Sequence, residues 1–212
     1  MSPSLAIGST PSGHLLAPYR GKRVVDLAVL AICSVPAGIV GLLCAGAVRI
    51  TSPGPVLFRQ ERVGRDGVPF VVLKFRTMRD GDNPIIPDAS VITRVGWFLR
   101  RFSLDELPQL INVARGEMSV VGPRPTLAYQ ADRWTPEQRE RLAVRPGLTG
   151  LAQVNGRNDL SWPERIEYDR RYVRSQSVRT DLTILAKTMS AMVSGEGTGA
   201  TADDDPIAGQ AS

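Results

Sequence analysis

Two carboxylates stand side by side at Asp105 and Glu106, inside the run Ser103-Leu104-Asp105-Glu106-Leu107-Pro108-Gln109-Leu110. Arg100 and Arg101 lie just before them, and Gly122-Pro123-Arg124-Pro125 follows. Acids, arginines and a helix start in one place are the materials of phosphate chemistry, because the guanidinium fork and the helix amides both match phosphate oxygens. Adjacent carboxylates point to opposite faces of a strand, whereas near a helix N-terminus both can approach one ligand, a metal ion or a phosphate. Plain capping of the helix, in which the acids only complement its dipole, uses the same residues. In Pro123-Arg124-Pro125 the prolines fix the backbone around an arginine, which serves either a phosphate or a rigid, solvated surface turn. Arg145-Pro146-Gly147 and Asn155-Gly156-Arg157-Asn158 are further tight turns that offer guanidinium and amide groups.

Composition narrows the chemistry. The chain has 212 residues, enough for one ordinary domain with appendages. Its formal charge of +5 and pI near 9.7 suit an anionic partner, which is nucleic acid, an anionic membrane surface or a phosphorylated small molecule. Cys33 and Cys44 fall in one apolar run; as a helix it sets them about 16 Å apart along the axis, too far for a disulfide. With His14 the one histidine of the sequence, a zinc site or a histidine-based triad has no material to draw on, and any metal must be held by oxygen.

The elements that must position the acids read as an α+β chain. Residues 1–20 are rich in Ser, Gly and Pro without a secretory signal and are expected as a disordered leader. Leu27 to Val48 is almost wholly apolar, and about 20 such residues suffice to cross a bilayer. Arg20, Lys22 and Arg23 precede this run and Arg49, Arg59, Arg62 and Arg65 follow it, so both ends prefer the same side of the membrane. Ser34, Pro36, Gly38 and Gly41 offer a place to bend, which predicts a re-entrant membrane helix over 21–50, with a straight span as the alternative.

Residues 51–194 are expected to form a further domain at the membrane surface, built of amphipathic helices with a short β-hairpin, which is the catalytic domain if the acids do chemistry. Val56–Gln60 and Phe70–Phe75 read as its strands around Gly64-Arg65-Asp66-Gly67. Arg59, Arg62, Lys74, Arg76 and Arg79 recur through the hairpin, beside anionic lipid or as part of an anion site. Asp80–Ser90 is a loop, and Thr93–Arg101 is a short amphipathic helix with Trp97 available for the headgroup layer. Ser103 with Glu106 matches a capping box for a helix that Gly116 ends, although Pro108 leaves its register open. A helix is expected from Thr135 to about Val144, a short strand and turn over Gly150–Asn158, and a helix from Ser161 through Tyr172. The last helix, Asp181–Val193, carries the stripe Leu182, Leu185, Ala186, Met189 and Met192, read as core with a bilayer contact as second choice. Residues 195–212 read as a disordered tail.

A resemblance joins these pieces. Lys22-Arg23-x-x-Asp26, the apolar segment, Gly54-Pro55-Val56-Leu57-Phe58, Gln60-x-Arg62-x-Gly64 and Lys74-Phe75-Arg76-Thr77-Met78 come first. Ser103 to Gln109, Val121-Gly122-Pro123-Arg124-Pro125, Arg145-Pro146-Gly147-Leu148-Thr149-Gly150 and Gln153-Val154-Asn155-Gly156-Arg157 follow in order. From Lys22 to Val193 the chain resembles the bacterial sugar transferases that are monotopic phosphoglycosyl transferases, in their minimal catalytic form. The resemblance implies transfer of a sugar 1-phosphate from a UDP-sugar to undecaprenyl phosphate at the cytoplasmic face of the inner membrane, among its lipids, as the first membrane step of surface glycan assembly. It makes Asp105 the nucleophile that carries a phosphosugar after UMP leaves, with Glu106 as its partner and Mg2+ held by Asp105 and Glu106. Arg100, Lys74, Arg76 and Pro123-Arg124-Pro125 fall on the substrate side. Arg145, Gln153, Asn155 and Arg157 either join that side or lock the fold. One departure is Ser34-Val35-Pro36, where the family often has Ser directly before Pro. The sequence names neither the sugar nor the oligomeric state, and leaves a homodimer open.

A competing reading is a basic, membrane-anchored module that binds nucleic acid or an acidic partner through Arg59–Arg79 and the arginines of Tyr129–Arg179. A basic stripe with regularly interleaved aromatics would favour it, and the sequence has none, so nucleic acid is not an expected partner.

Overall fold

In the computed structural model the described residues are 16–79, 91–156 and 160–194. The expectations for the leader up to residue 15, for Asp80–Ser90, for Arg157 and for the tail from 195 lie outside them. Helix α1 (Lys22–Thr51) is a single 30-residue helix, about 45 Å if straight. Strands β1 (Leu57–Val63) and β2 (Pro69–Phe75) follow as the expected antiparallel hairpin, from Leu57 opposite Phe75 to Val63 opposite Pro69. Next come α2 (Arg94–Arg101), a 3-10 turn (Leu104–Glu106), α3 (Gln109–Arg115), β3 (Ser119–Val121) and α4 (Ala128–Asp132). A 3-10 segment (Gln138–Ala143), β4 (Gly147–Thr149), α5 (Trp162–Ser175) and α6 (Val178–Ser194) complete the chain. The class is α+β, as the sequence indicates.

Two parts of α1 behave differently. Its first turns are tied down: Arg23 donates to the Val113 and Ala114 carbonyls at 2.6 and 2.8 Å, and Asp26 accepts from Ser119 Oγ and the Val120 amide. Its last turns bury Cys44 and Val48 with Phe75 and Leu99, and Arg76 donates to the Ser52 carbonyl at 2.7 Å. Both ends therefore dock on one domain, while Ala31–Pro36 and Gly38–Val40 are exposed. Within that stretch Pro36 offers no N–H to the Ile32 carbonyl, and Ser34 Oγ donates to the Ala31 carbonyl at 2.8 Å.

The main core joins Phe70 and Val72 of β2, Val113, Met118, Val120 and Val121 to Val144, Tyr172, Val173 and Ile184. Residues 16–19 are held rather than loose: Leu16 lies against this core and Tyr19 Oη donates to Asp181 at 2.7 Å. β3 and β4 pair in parallel, Ser119 with Gly147 and Val121 with Thr149. This pairing is absent from the sequence reading, because three-residue strands whose partners stand 28 positions apart carry no periodic signal. It needs glycine at both crossing points, since a Cβ on Gly147 would lie 2.1 Å from the Gly122 nitrogen.

Five local expectations change or are decided. Ser103 does not cap: it adopts a left-handed φ of 54°, and Leu104–Glu106 is a separate 3-10 turn. Pro108 stands at the N-cap of α3, where its missing N–H costs nothing, which settles the register. The Thr135–Gln138 box is made, Gln138 Oε1 accepting from the Thr135 amide at 3.0 Å, yet 3-10 structure follows rather than an α-helix. The strand expected at Gly150–Asn158 is β4 instead, three residues earlier, and residues 151–156 form turns. On α6 the stripe splits: Ile184 is buried and Leu185 lies against the core, whereas Leu182, Ala186 and Met189 are exposed. Core packing thus explains only part of it.

Candidate active site

The acidic pair sits where β2, α2, the 3-10 turn and the Pro-Arg-Pro loop converge. Lys74 comes from β2, and the free edge of that strand is fixed by the fully buried Asn112 of α3. Asn112 Oδ1 accepts from the Leu73 amide at 3.2 Å, and its Nδ2 donates to the Val71 carbonyl at 2.7 Å. This side-chain ladder completes the strand edge and sets Lys74 relative to the turn. Arg100 comes from α2, which lies against the backbone of Thr77 at Gly96; a Cβ there would meet the Thr77 oxygen at 2.0 Å. The close approach lets Arg100 Nε donate to Thr77 Oγ1 at 2.9 Å.

The loop bearing Arg124 is held by its backbone. The Pro123 carbonyl accepts from the Gly147 amide at 2.8 Å, the Arg124 carbonyl from Arg141 Nη2 at 2.8 Å and the Thr126 carbonyl from the Val63 amide at 2.9 Å. Arg62 Nη1 reaches the Pro125 carbonyl at 3.5 Å. Proline supplies the fixed φ at Pro123 and Pro125, and the main-chain oxygens are engaged, so the Arg124 side chain is the part that faces the acids.

Glu106 and Asp105 are treated differently by these neighbours. Glu106 Oε1 accepts from Lys74 Nζ at 2.8 Å and from Arg124 Nη2 at 2.9 Å. Burial would raise its pKa, but Arg124 and Lys74 outweigh burial and hold the carboxyl well below the usual carboxylate range. Asp105 is 8 % exposed and its carboxylate is hydrogen-bonded to no described residue. Burial raises its pKa, with the Glu106 charge adding to the rise, while Lys74, Arg100 and Arg124 oppose it. One acid is a fixed anion, and its neighbour is a more basic carboxylate with free oxygens. Such a carboxylate is available to a metal, or to an electrophilic phosphorus.

The other residues expected on the substrate side divide. Lys74, Arg100 and Pro123-Arg124-Pro125 gather at the pair. Arg76 is buried and donates to the Ser52 carbonyl at the end of α1. Arg145 Nε donates to the Gly116 carbonyl at 2.6 Å, and Asn155 Nδ2 to the Leu151 carbonyl at 2.7 Å, where both lock turns. Gln153 lies beside Gly150, its Oε1 2.7 Å from where a Cβ on that glycine would stand. Arg157 is outside the described residues. Thr77, Asn112 and Arg141 were not foreseen as supports, because none stands in a local pattern; each acts through a partner at least 17 positions away.

The chain is similar to several named proteins. An "Uncharacterized sugar transferase EpsL" from Bacillus subtilis is 41% identical over 181 residues, covering 83% of this chain and 89% of that protein. The "Exopolysaccharide production protein ExoY" of Sinorhizobium fredii is 38% identical, over 81% of this chain and 84% of its own. A "UDP-glucose:undecaprenyl-phosphate glucose-1-phosphate transferase" from Caulobacter vibrioides is 43% identical, over 81% of this chain and 69% of that protein. The profile of the family described as "Bacterial sugar transferase" matches residues 18–195, nearly all of the described fold with its acidic pair, and the chain is a member of that family of enzymes.

Proposed function

We propose that this enzyme transfers a sugar 1-phosphate from a UDP-sugar to undecaprenyl phosphate through a covalent phosphosugar on Asp105. The observation that carries the reading is the Asp105 carboxylate, nearly buried and without a hydrogen-bond partner among the described residues, beside a Glu106 held by Lys74 and Arg124. An oxygen of Asp105 attacks the sugar-bearing phosphorus, the bond from that phosphorus to the bridging oxygen breaks, and UMP leaves with the electron pair. A phosphate oxygen of the polyprenol then attacks the same phosphorus and frees the Asp105 carboxylate. Lys74, Arg100 and Arg124 neutralise the oxygens on which charge accumulates. The names of the Caulobacter relative and of a Klebsiella pneumoniae relative supply the substrate pair for this reading.

The acids also fit Mg2+. Among the described residues no group of three His, Cys, Asp or Glu converges. Two adjacent carboxylates form the small, hard oxygen set that Mg2+ takes when phosphates and water complete its shell. Asp105 and Glu106 would hold the ion, which supplies charge neutralisation on the diphosphate.

The same reading puts the protein on the cytoplasmic face of the inner membrane, with α1 dipping into the bilayer and returning. Docking of both α1 ends on one domain, around an exposed apolar middle with Pro36, supports that path. Exposed Trp97 and Phe98 on α2 and the outer stripe of α6 are apolar surface suited to the lipid interface. Incubation of detergent-solubilised protein with undecaprenyl phosphate, Mg2+ and a panel of UDP-sugars should release UMP with one or a few sugars. Release of UDP instead of UMP would mean transfer of the sugar without its phosphate and would overturn the reading. For the membrane path, a cysteine-free background with a single cysteine at Ser2 or Ser52 should stay unlabelled from outside intact cells. Labelling at Ser2 alone would establish a straight span.

A further inference from the structure

The Arg124 carbonyl leads away from the acids to a charged pair inside the domain. Arg141, 4% exposed, donates from Nη2 to that carbonyl at 2.8 Å and pairs with Asp169 Oδ2 of α5 at 2.5 Å. Its guanidinium also stacks 4.7 Å from the centre of the Trp134 ring. Asp169 is 2% exposed. Taking an arginine and an aspartate out of water is costly, and a well-packed apolar pair often holds a fold as well or better. An apolar side chain at 141 has nothing to give the Arg124 carbonyl. Besides Asp169 and the Trp134 ring, the guanidinium thus serves one backbone oxygen, that of the residue whose side chain meets Glu106.

We propose that Arg141, held by Asp169 and Trp134, is a positioning residue for Arg124. It fixes the Arg124 carbonyl, and through the proline-stiffened backbone it fixes the approach of the Arg124 guanidinium to Glu106 and to the diphosphate. Nη2 serves both the carbonyl and Asp169 while the delocalised, planar cation lies against Trp134; a lysine ammonium has no plane to stack in that way. Burial pushes the Asp169 carboxyl up to about 6, while Arg141 and Arg165 draw it back toward the ionised form. This inference rests on the phosphoglycosyl transferase reading for its kinetic arm only.

The test is a mutant cycle on UMP release combined with hydrogen exchange. Arg141→Lys should lower kcat/KM by about tenfold or more when Arg124 is present, and by no more than about twofold when Arg124→Ala has already removed the side chain it positions. Exchange should rise at the amides of Gly147 and Val63, which bind the Pro123 and Thr126 carbonyls, and stay unchanged at Val120, which binds Asp26. An equal loss of kcat/KM in both backgrounds, or unchanged exchange at Gly147 and Val63, would overturn the proposal. If Arg141→Lys does not fold, Trp134→Phe weakens the stack without removing a hydrogen bond to any described residue, and is read in the same way. Absence of UMP release by the unmutated protein would refute the function instead, and the exchange arm would still decide whether Arg141 holds the loop.

Discussion

Among the described residues, two sites set a pair of carboxylates beside a lysine, and they do opposite things. At the first, Lys22 Nζ lies 3.2 Å from Asp26 Oδ1 and 2.7 Å from Asp181 Oδ2, with all three residues buried. Tyr19 and Tyr172 donate to Asp181, and Ser119 Oγ and the Val120 amide donate to Asp26. Burial, with the Asp181 charge and hydrogen bond, raises the Tyr172 pKa far above its ordinary value, so its proton stays in the network. At the second, Lys74 holds Glu106, and Arg124 shares the same oxygen. Asp105 is left with no hydrogen bond from a described residue. The first network joins the chain before α1 to α1, β3, α5 and α6, and its donors are committed to the fold. The second has donors in excess around one carboxylate and an uncommitted carboxylate beside it. Residue types alone do not separate a structural cluster from a chemical one: Asp26 keeps Oδ2 unpaired but is anchored through Oδ1, whereas neither oxygen of Asp105 is anchored by a described residue.

Mutations should separate the two sites along that line. Asp105→Asn should reduce UMP release by on the order of a thousandfold or more, with thermal unfolding in detergent unchanged or raised, because a carboxylate that supports no contact is lost. Normal turnover by this variant would remove Asp105 as the nucleophile. At the other site Lys22→Met should destabilise by about 3–5 kcal/mol, since it strands two buried carboxylates. Its residual folded fraction should retain turnover, and a specific loss of kcat in fully folded protein would erase the contrast.

Lys74→Met should lower kcat/KM near neutral pH by about tenfold through the loss of one cation at the phosphates. It also bears on pH. Asp105 acts as a carboxylate, so turnover is present above its folded pKa and is lost as pH falls through it. Burial places that acid limb above the ordinary aspartate range, and Lys74 is the largest charge holding it down. The limb of kcat/KM should therefore move to higher pH in Lys74→Met, and a pH–rate profile that stays in place would show that another group sets it.

Legibility in the sequence follows the range of the interaction. The hairpin turn around Gly64–Gly67, where the Gly67 amide donates to the Gly64 carbonyl at 3.3 Å, and the Ser161–Glu164 capping box rest on neighbours a few positions apart. Each is encoded where it stands. The acidic pair, Lys74, Arg100 and Pro-Arg-Pro were legible as motifs, and the fold brings them together. Arg76 and Arg145 look the same in sequence, yet their guanidinium groups end on backbone carbonyls at Ser52 and Gly116. An arginine in a rigid turn has the same local pattern whether it faces a ligand or a helix end.

By itself the sequence determined an apolar helix that carries a proline, a hairpin and an Asp-Glu pair in the order of the sugar transferases, because periodicity, turn chemistry and motif spacing are properties of neighbouring residues. Only the tertiary structure decided which carboxylate is held and which is open. That distinction depends on Lys74 and Arg124 arriving from 32 and 18 positions away onto one oxygen of Glu106. Their arrival depends in turn on Asn112 closing the edge of β2 and on the buried Arg141 fixing a single carbonyl. Burial and charge pairing are sums over groups distant in sequence, and they take their values only when the chain has closed around them.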